Sequence, residues 1–125
     1  MTRQIVTTDK IAPPVGPFSA AVRAGGFVFM SGQIALDQTS GKLIAGDVAA
    51  QTEQIFRNIS AILVAAGKSF ADVVKTTVFL ADMKDFGAMN AVYERHFEAP
   101  FPARTTIAAA ALPLAATVEI EVVVA

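Results

Sequence analysis

A two-layer α+β sandwich, a mixed β-sheet with two helices on one face, is the fold this sequence predicts. Three observations predict it. Residues 48–66 carry apolar side chains at helical spacing, whereas 73–81 and 117–124 are β-prone runs rich in Val and Thr. Glycine and proline clusters punctuate the chain between such segments. Two helices of this size cover one face of a sheet and leave the other bare.

The elements follow in order. A short strand is expected around Gln4 to Thr8. The segment from Ile11 to Pro17 holds three prolines, too many for a central strand or helix, and reads as an ordered loop. Phe18 to Arg23 and Phe27 to Ser31 are apolar, β-prone runs separated by Ala24-Gly25-Gly26, where glycine permits the positive φ of a tight turn, so a hairpin is expected. Asp37 to Gly46 is polar turn material. Asp47 stands at an N-cap position; Val48, Thr52, Ile55, Ile59, Ile62 and Ala66 form an apolar stripe, and Gly67 supplies the stop. Val73 to Ala81 is a strand. Asp82 is expected to open a second helix, with the stripe Phe86, Met89, Tyr93 and Phe97, which Pro100 and Pro102 end. Two strands close the chain, Arg104 to about Ala110 and Thr117 to Val124, hinged at Leu112-Pro113-Leu114.

Composition bounds the function. The 125 residues suit one domain. They are 54% hydrophobic with a mean hydropathy of +0.52, which is apolar for so small a body. The bare sheet face is therefore a candidate subunit interface. Ten Lys and Arg against eleven Asp and Glu leave a formal charge of -1, which gives no field to attract nucleic acid or anionic lipid. The absence of cysteine excludes disulfides, thiolate nucleophiles and zinc-thiolate sites, and suits a reducing cytoplasm, the expected location. The start lacks the apolar core of a signal peptide. The most apolar stretch, 105–118, is broken by Pro113 and falls short of the ~20 residues that span a bilayer, so membrane insertion is not expected.

A few residues could carry chemistry. Arg104 is the only charge between Glu98 and Glu119. A guanidinium in apolar surroundings must meet a carboxylate, of the protein or of a ligand, and its planar fork suits either. Glu119 and Glu121 alternate with Val118, Ile120 and Val122 and so share one face of the last strand. That face is either solvated or turned to a cavity. Arg104 and Glu119 lie on successive strands expected to pair, and Glu119 beside Arg104 could position a water for acid-base work. Asn90 falls on the apolar stripe of the second helix, where its amide needs partners in the backbone or in a ligand. Ser31 has no triad, since the only histidine, His96, sits at a helix end where the dipole favours it; Ser31 is a structural or substrate contact. One histidine, no cysteine and no clustered carboxylates argue against a metal site.

Several ordered motifs together resemble one family: 16–22 (Gly-Pro-Phe-Ser-Ala-Ala-Val), Ser31-Gly32-Gln33-Ile34, 74–80, Asp85-Phe86 with Asn90 and Tyr93, Phe101-Pro102-Ala103-Arg104, and Val118-Glu119-Ile120-Glu121. From about Ile11 onward the chain is similar to the Rid (reactive intermediate deaminase, YjgF) family. The resemblance implies a chorismate-mutase-like fold, a homotrimer with active sites between subunits, and hydrolysis of 2-iminopropanoate and 2-iminobutanoate to 2-keto acids and ammonia without a cofactor. It places the substrate carboxylate on Arg104 and the attacking water on Glu119, with Gly32, Ser31, Asn90, Phe18 and Thr106 lining the pocket. Two positions depart from the family pattern: Phe18 stands for a tyrosine, and Thr106 for a cysteine that acts through its carbonyl. Two other readings stay open, a non-catalytic binding or chaperone-like trimer and, with less support from the charge, a ribonuclease or translation inhibitor.

Overall fold

A computed structural model describes residues 2–125. It contains strands β1 (Gln4–Val6), β2 (Ala21–Ala24), β3 (Phe27–Met30), β4 (Val73–Leu80), β5 (Ala103–Ala108) and β6 (Val118–Val124), with helices α1 (Val48–Ala65) and α2 (Phe86–Tyr93). The expected α+β order holds. The six strands form one sheet in the order β1-β2-β3-β6-β4-β5, antiparallel except for the parallel pair β4–β5.

Local chemistry sets the helix ends. The Asp47 carboxylate accepts the Ala50 N–H at 3.0 Å, satisfying one of the free donors of the first turn, and Gly67 takes a φ of +73° just past the end. Helix α2 departs from expectation. Asp82 caps only a 3-10 turn over 83–85, accepting from Lys84 N–H, and the α-helix begins at Phe86. It ends at Tyr93, ahead of the prolines, so Phe97 is buried from the turn that follows. His96 is likewise beyond the helix; it bonds Glu53 on α1 at 3.0 Å and stacks on Phe56, so contact with the other helix, rather than the dipole, fixes it.

Alternation in the strands builds the core. Val118, Ile120, Val122 and Val124 of β6 and Thr76, Val78 and Leu80 of β4 point to the helices and are buried. The apolar ones meet Ile55, Ile59 and Ile62 of α1 and Met89 and Val92 of α2 in one cluster. Each such side chain removed from water contributes about 1.5–3 kcal/mol, which is what holds the layers together.

The opposite face has no helical cover. Successive register partners Ile5, Val22, Phe29, Val123 and Lys75 run in a row across five strands on that side. Ile5 and Phe29 are 55% and 45% exposed, so the four positions before Lys75 form an apolar surface open to solvent in the isolated chain. Among the described residues no helix is long and apolar enough to cross a membrane.

Candidate active site

The expected site residues fall into two groups, and sheet order is the reason. Strands β5 and β6 do not pair, contrary to expectation: β4 lies between them. Arg104 is the register partner of Thr76 and Glu119 that of Phe79. Positions 76 and 79 are an odd number apart, so Arg104 and Glu119 point to opposite faces of the sheet. Two strand spacings and three residues of rise put their Cα atoms about 14 Å apart in a flat sheet. The two cannot share a cleft within one protomer.

The first group lies at the edge strand, on the helical face. The half-buried Arg104 donates from Nη1 to Asn90 Oδ1 at 2.7 Å, and its guanidinium carbon sits 4.6 Å from the Tyr93 ring centre and 5.5 Å from that of Phe86. Tyr93 is itself fixed by a 2.8 Å hydrogen bond between its hydroxyl and that of the buried Thr76. Burial pushes the Tyr93 hydroxyl pKa up, against the bond to Thr76 and the Arg104 charge, so the ring keeps its proton. Of the two carboxylates the sequence left open for Arg104, one of the protein or one of a ligand, the first is not met: among the described residues it forms no salt bridge. A cation held by one amide and two π faces keeps donors of its planar fork for an anion from outside. Two residues along β5, the Thr106 hydroxyl oxygen is buried without a hydrogen-bond partner.

The second group lines a cleft of about 640 Å³ at the far end of the sheet, between the proline-rich loop, the segment after β3 and the start of β6. Phe18, Ser31, Gly32 and Glu119 all border it. Glu119 is the only charged residue among the lining, and its carboxylate lies over Gly32, where any Cβ would collide with it. Burial first, and then the Glu121 charge on the same face, push the Glu119 carboxyl above the ordinary carboxylate range. Ser31 is not free for chemistry. Its hydroxyl donates to the Ser19 carbonyl at 2.6 Å and so ties the proline-rich loop to the end of β3.

The sequence left several parts of these groups unassigned. Phe86 and Tyr93 read as core stripe and turn out to flank the guanidinium. Ile11 to Val15, Pro113 and Leu114 read as connectors and turn out to wall the cleft. Proline clusters mark where the chain leaves the sheet, but not the sheet end over which it folds back.

Comparison with known proteins agrees with this architecture. A family model described as Endoribonuclease L-PSP matches residues 8–125. A RutC family protein of Pyrococcus horikoshii is 43% identical over 121 residues, covering 97% of this chain and 96% of that one. The mouse protein named 2-iminobutanoate/2-iminopropanoate deaminase is 44% identical over 121 residues, 97% of this chain and 90% of its own. The crystal structure of RidA from the Antarctic bacterium Psychrobacter sp. superposes with a TM-score of 0.92 at 44% identity, covering 97% of this chain and 98% of that one. With the ordered motifs, the mixed six-stranded sheet and matches over nearly the whole length, the chain belongs to the Rid (YjgF/RutC) family.

Proposed function

We propose that this chain hydrolyses reactive 2-imino acids and their enamine tautomers to 2-keto acids and ammonia, and that its active site is completed between copies of itself. The observation that carries the reading is Arg104: a half-buried guanidinium, oriented by Asn90 and two rings, with no carboxylate partner among the described residues. A half-buried cation left so gains from a ligand anion that meets it, and a 2-imino acid brings a carboxylate next to the reacting carbon.

Since Arg104 and Glu119 face away from each other, one substrate reaches both only if Arg104 of one protomer meets the Glu119 cleft of another. The uncovered apolar row through Val22, Phe29 and Val123 is the surface on which such copies would assemble, as a homotrimer in our reading. Hydrolysis then needs little from the protein. With the carboxylate held, the protonated imine carbon is electrophilic, and Glu119 orients a water and accepts its proton as the C–O bond forms. That proton passes to the nitrogen; as the C–N bond breaks and ammonia leaves, Glu119 takes the remaining hydroxyl proton, so that the carbonyl forms, and passes it on to ammonia or solvent. A carboxyl held above its ordinary range by burial suits both halves of this transfer. Asn90 orients the guanidinium; the Gly32 backbone, Ser31, Phe18 and the Thr106 carbonyl complete the wall.

The test is direct. 2-Iminopropanoate and 2-iminobutanoate are generated in situ with an amino-acid oxidase, and imine loss is followed with the protein and with Arg104→Ala. The expected result is acceleration by the wild type that the variant loses. No acceleration by the wild type sinks the proposal.

A further inference from the structure

The loop that leads into β6 presents a leucine in an unusual way. Leu114 has φ 56° and ψ 26°, and Ala115 follows with φ 57°. Every other described residue with positive φ is a glycine. The Ala115 N–H donates to the Leu112 carbonyl and the Ala116 N–H to the Pro113 carbonyl, so two turns overlap. The second has positive φ at both central residues, a conformation that glycine and asparagine adopt and that Cβ makes unfavourable for leucine and alanine.

Burial does not explain the choice. Leu114 is 67% exposed, so the strained backbone holds an apolar side chain out of the core, at the rim of the Glu119 cleft. The same cleft is lined by Ile11, Pro13, Val15, Phe18 and Ile34. Val15 and Phe18 are also largely exposed, and Phe18 brings an aromatic ring without a hydroxyl. At about 640 Å³ the cleft lies within the ~300–1,000 Å³ of pockets that hold far larger ligands than a three-carbon acid. Strain kept at a position that lines the cleft, with no packing return within its own chain, points to a role in binding.

We infer that Leu114 is the side-chain specificity residue of this cleft, and that the cleft prefers 2-imino acids whose apolar side chain is larger than ethyl. The inference rests on the deaminase reading above. A branched or aromatic substrate side chain would cover Leu114, Phe18 and Val15 together, whereas a methyl group would leave them in water.

The experiment measures kcat/KM for imines generated from alanine, leucine and phenylalanine, with the wild type, Leu114→Ala and Leu114→Gly, beside the thermal midpoint of each. The wild type is expected to favour the leucine-derived imine over the alanine-derived one. Both variants should reduce that ratio by about tenfold, the low end of what one apolar contact contributes to discrimination. Leu114→Gly should melt no lower than the wild type, because glycine relaxes the turn. An unchanged ratio in both variants, or a wild type that favours the alanine-derived imine, overturns the inference while leaving the deaminase reading intact. A lower midpoint for Leu114→Gly with an unchanged ratio marks a structural leucine and overturns it too. Acceleration of none of the imines overturns both.

Discussion

Replacing Asn90 by aspartate places a carboxylate where an amide oxygen now accepts from Arg104 at 2.7 Å. The shape of the site is kept and its charge is cancelled. At about 4 Å between charge centres and an effective dielectric near 20, the attraction is about 4 kcal/mol. Arg104 is only half-buried, and exposed pairs retain about 1 kcal/mol or less. An intermediate value of ~2 kcal/mol is therefore withdrawn from any incoming carboxylate, which is a rise in KM of about 30-fold. The fold should be slightly more stable, since Arg104 gains the ion pair it lacks. Asn90→Ala, which removes the hydrogen bond without adding charge, should raise KM less. Initial rates of imine loss across substrate concentration, with thermal melts of each variant, check all of this. An Asn90→Asp enzyme with KM within twofold of the wild type would refute the role of Arg104 as carboxylate receptor.

Three further outcomes are expected. Gly32→Ala puts a methyl group against the Glu119 carboxylate and should lower kcat at least about tenfold while the melting temperature changes little, measured by the same assay and by calorimetry. Glu119→Gln should lower kcat by about 10²-fold or more and also stabilise the protein, with a pH dependence that follows from the raised carboxyl. The wild-type carboxyl is favourable when protonated, below its ordinary pKa of ~4.3, and becomes unfavourable as pH rises through its higher folded value; melts of wild type and variant should therefore coincide in acid and separate toward neutrality. Phe29→Asp charges the apolar row on the bare face and should yield a folded chain of monomeric mass by light scattering, inactive although Arg104 and Glu119 are both intact. A monomeric wild type at micromolar concentration would instead remove the interfacial site altogether.

The sequence by itself determined what depends on neighbours in the chain. Asp47 caps α1 and Gly67 follows its end because capping and left-handed stops are local events. The same holds for the turn at Gly25 and Gly26, whose φ values are 58° and 83°. Alternation along 118–124 already put Glu119 and Glu121 on the face away from the core, and the isolated charge of Arg104 already marked it as a residue in need of an anion.

What only the tertiary structure decided is where those pieces stand relative to one another. Nothing local states that β6 enters between β3 and β4, because strand order is chosen by long-range pairing that buries Val118, Ile120, Val122 and Val124 at the sheet centre. That insertion moves Arg104 to the edge, and the register of β4 then fixes its face by parity. A reading from the sequence placed Arg104 beside Glu119; the sheet turns them to opposite sides. Leu114 was equally hidden, since no rule of composition predicts a leucine at positive φ, and only the folded loop shows what it is held out to meet.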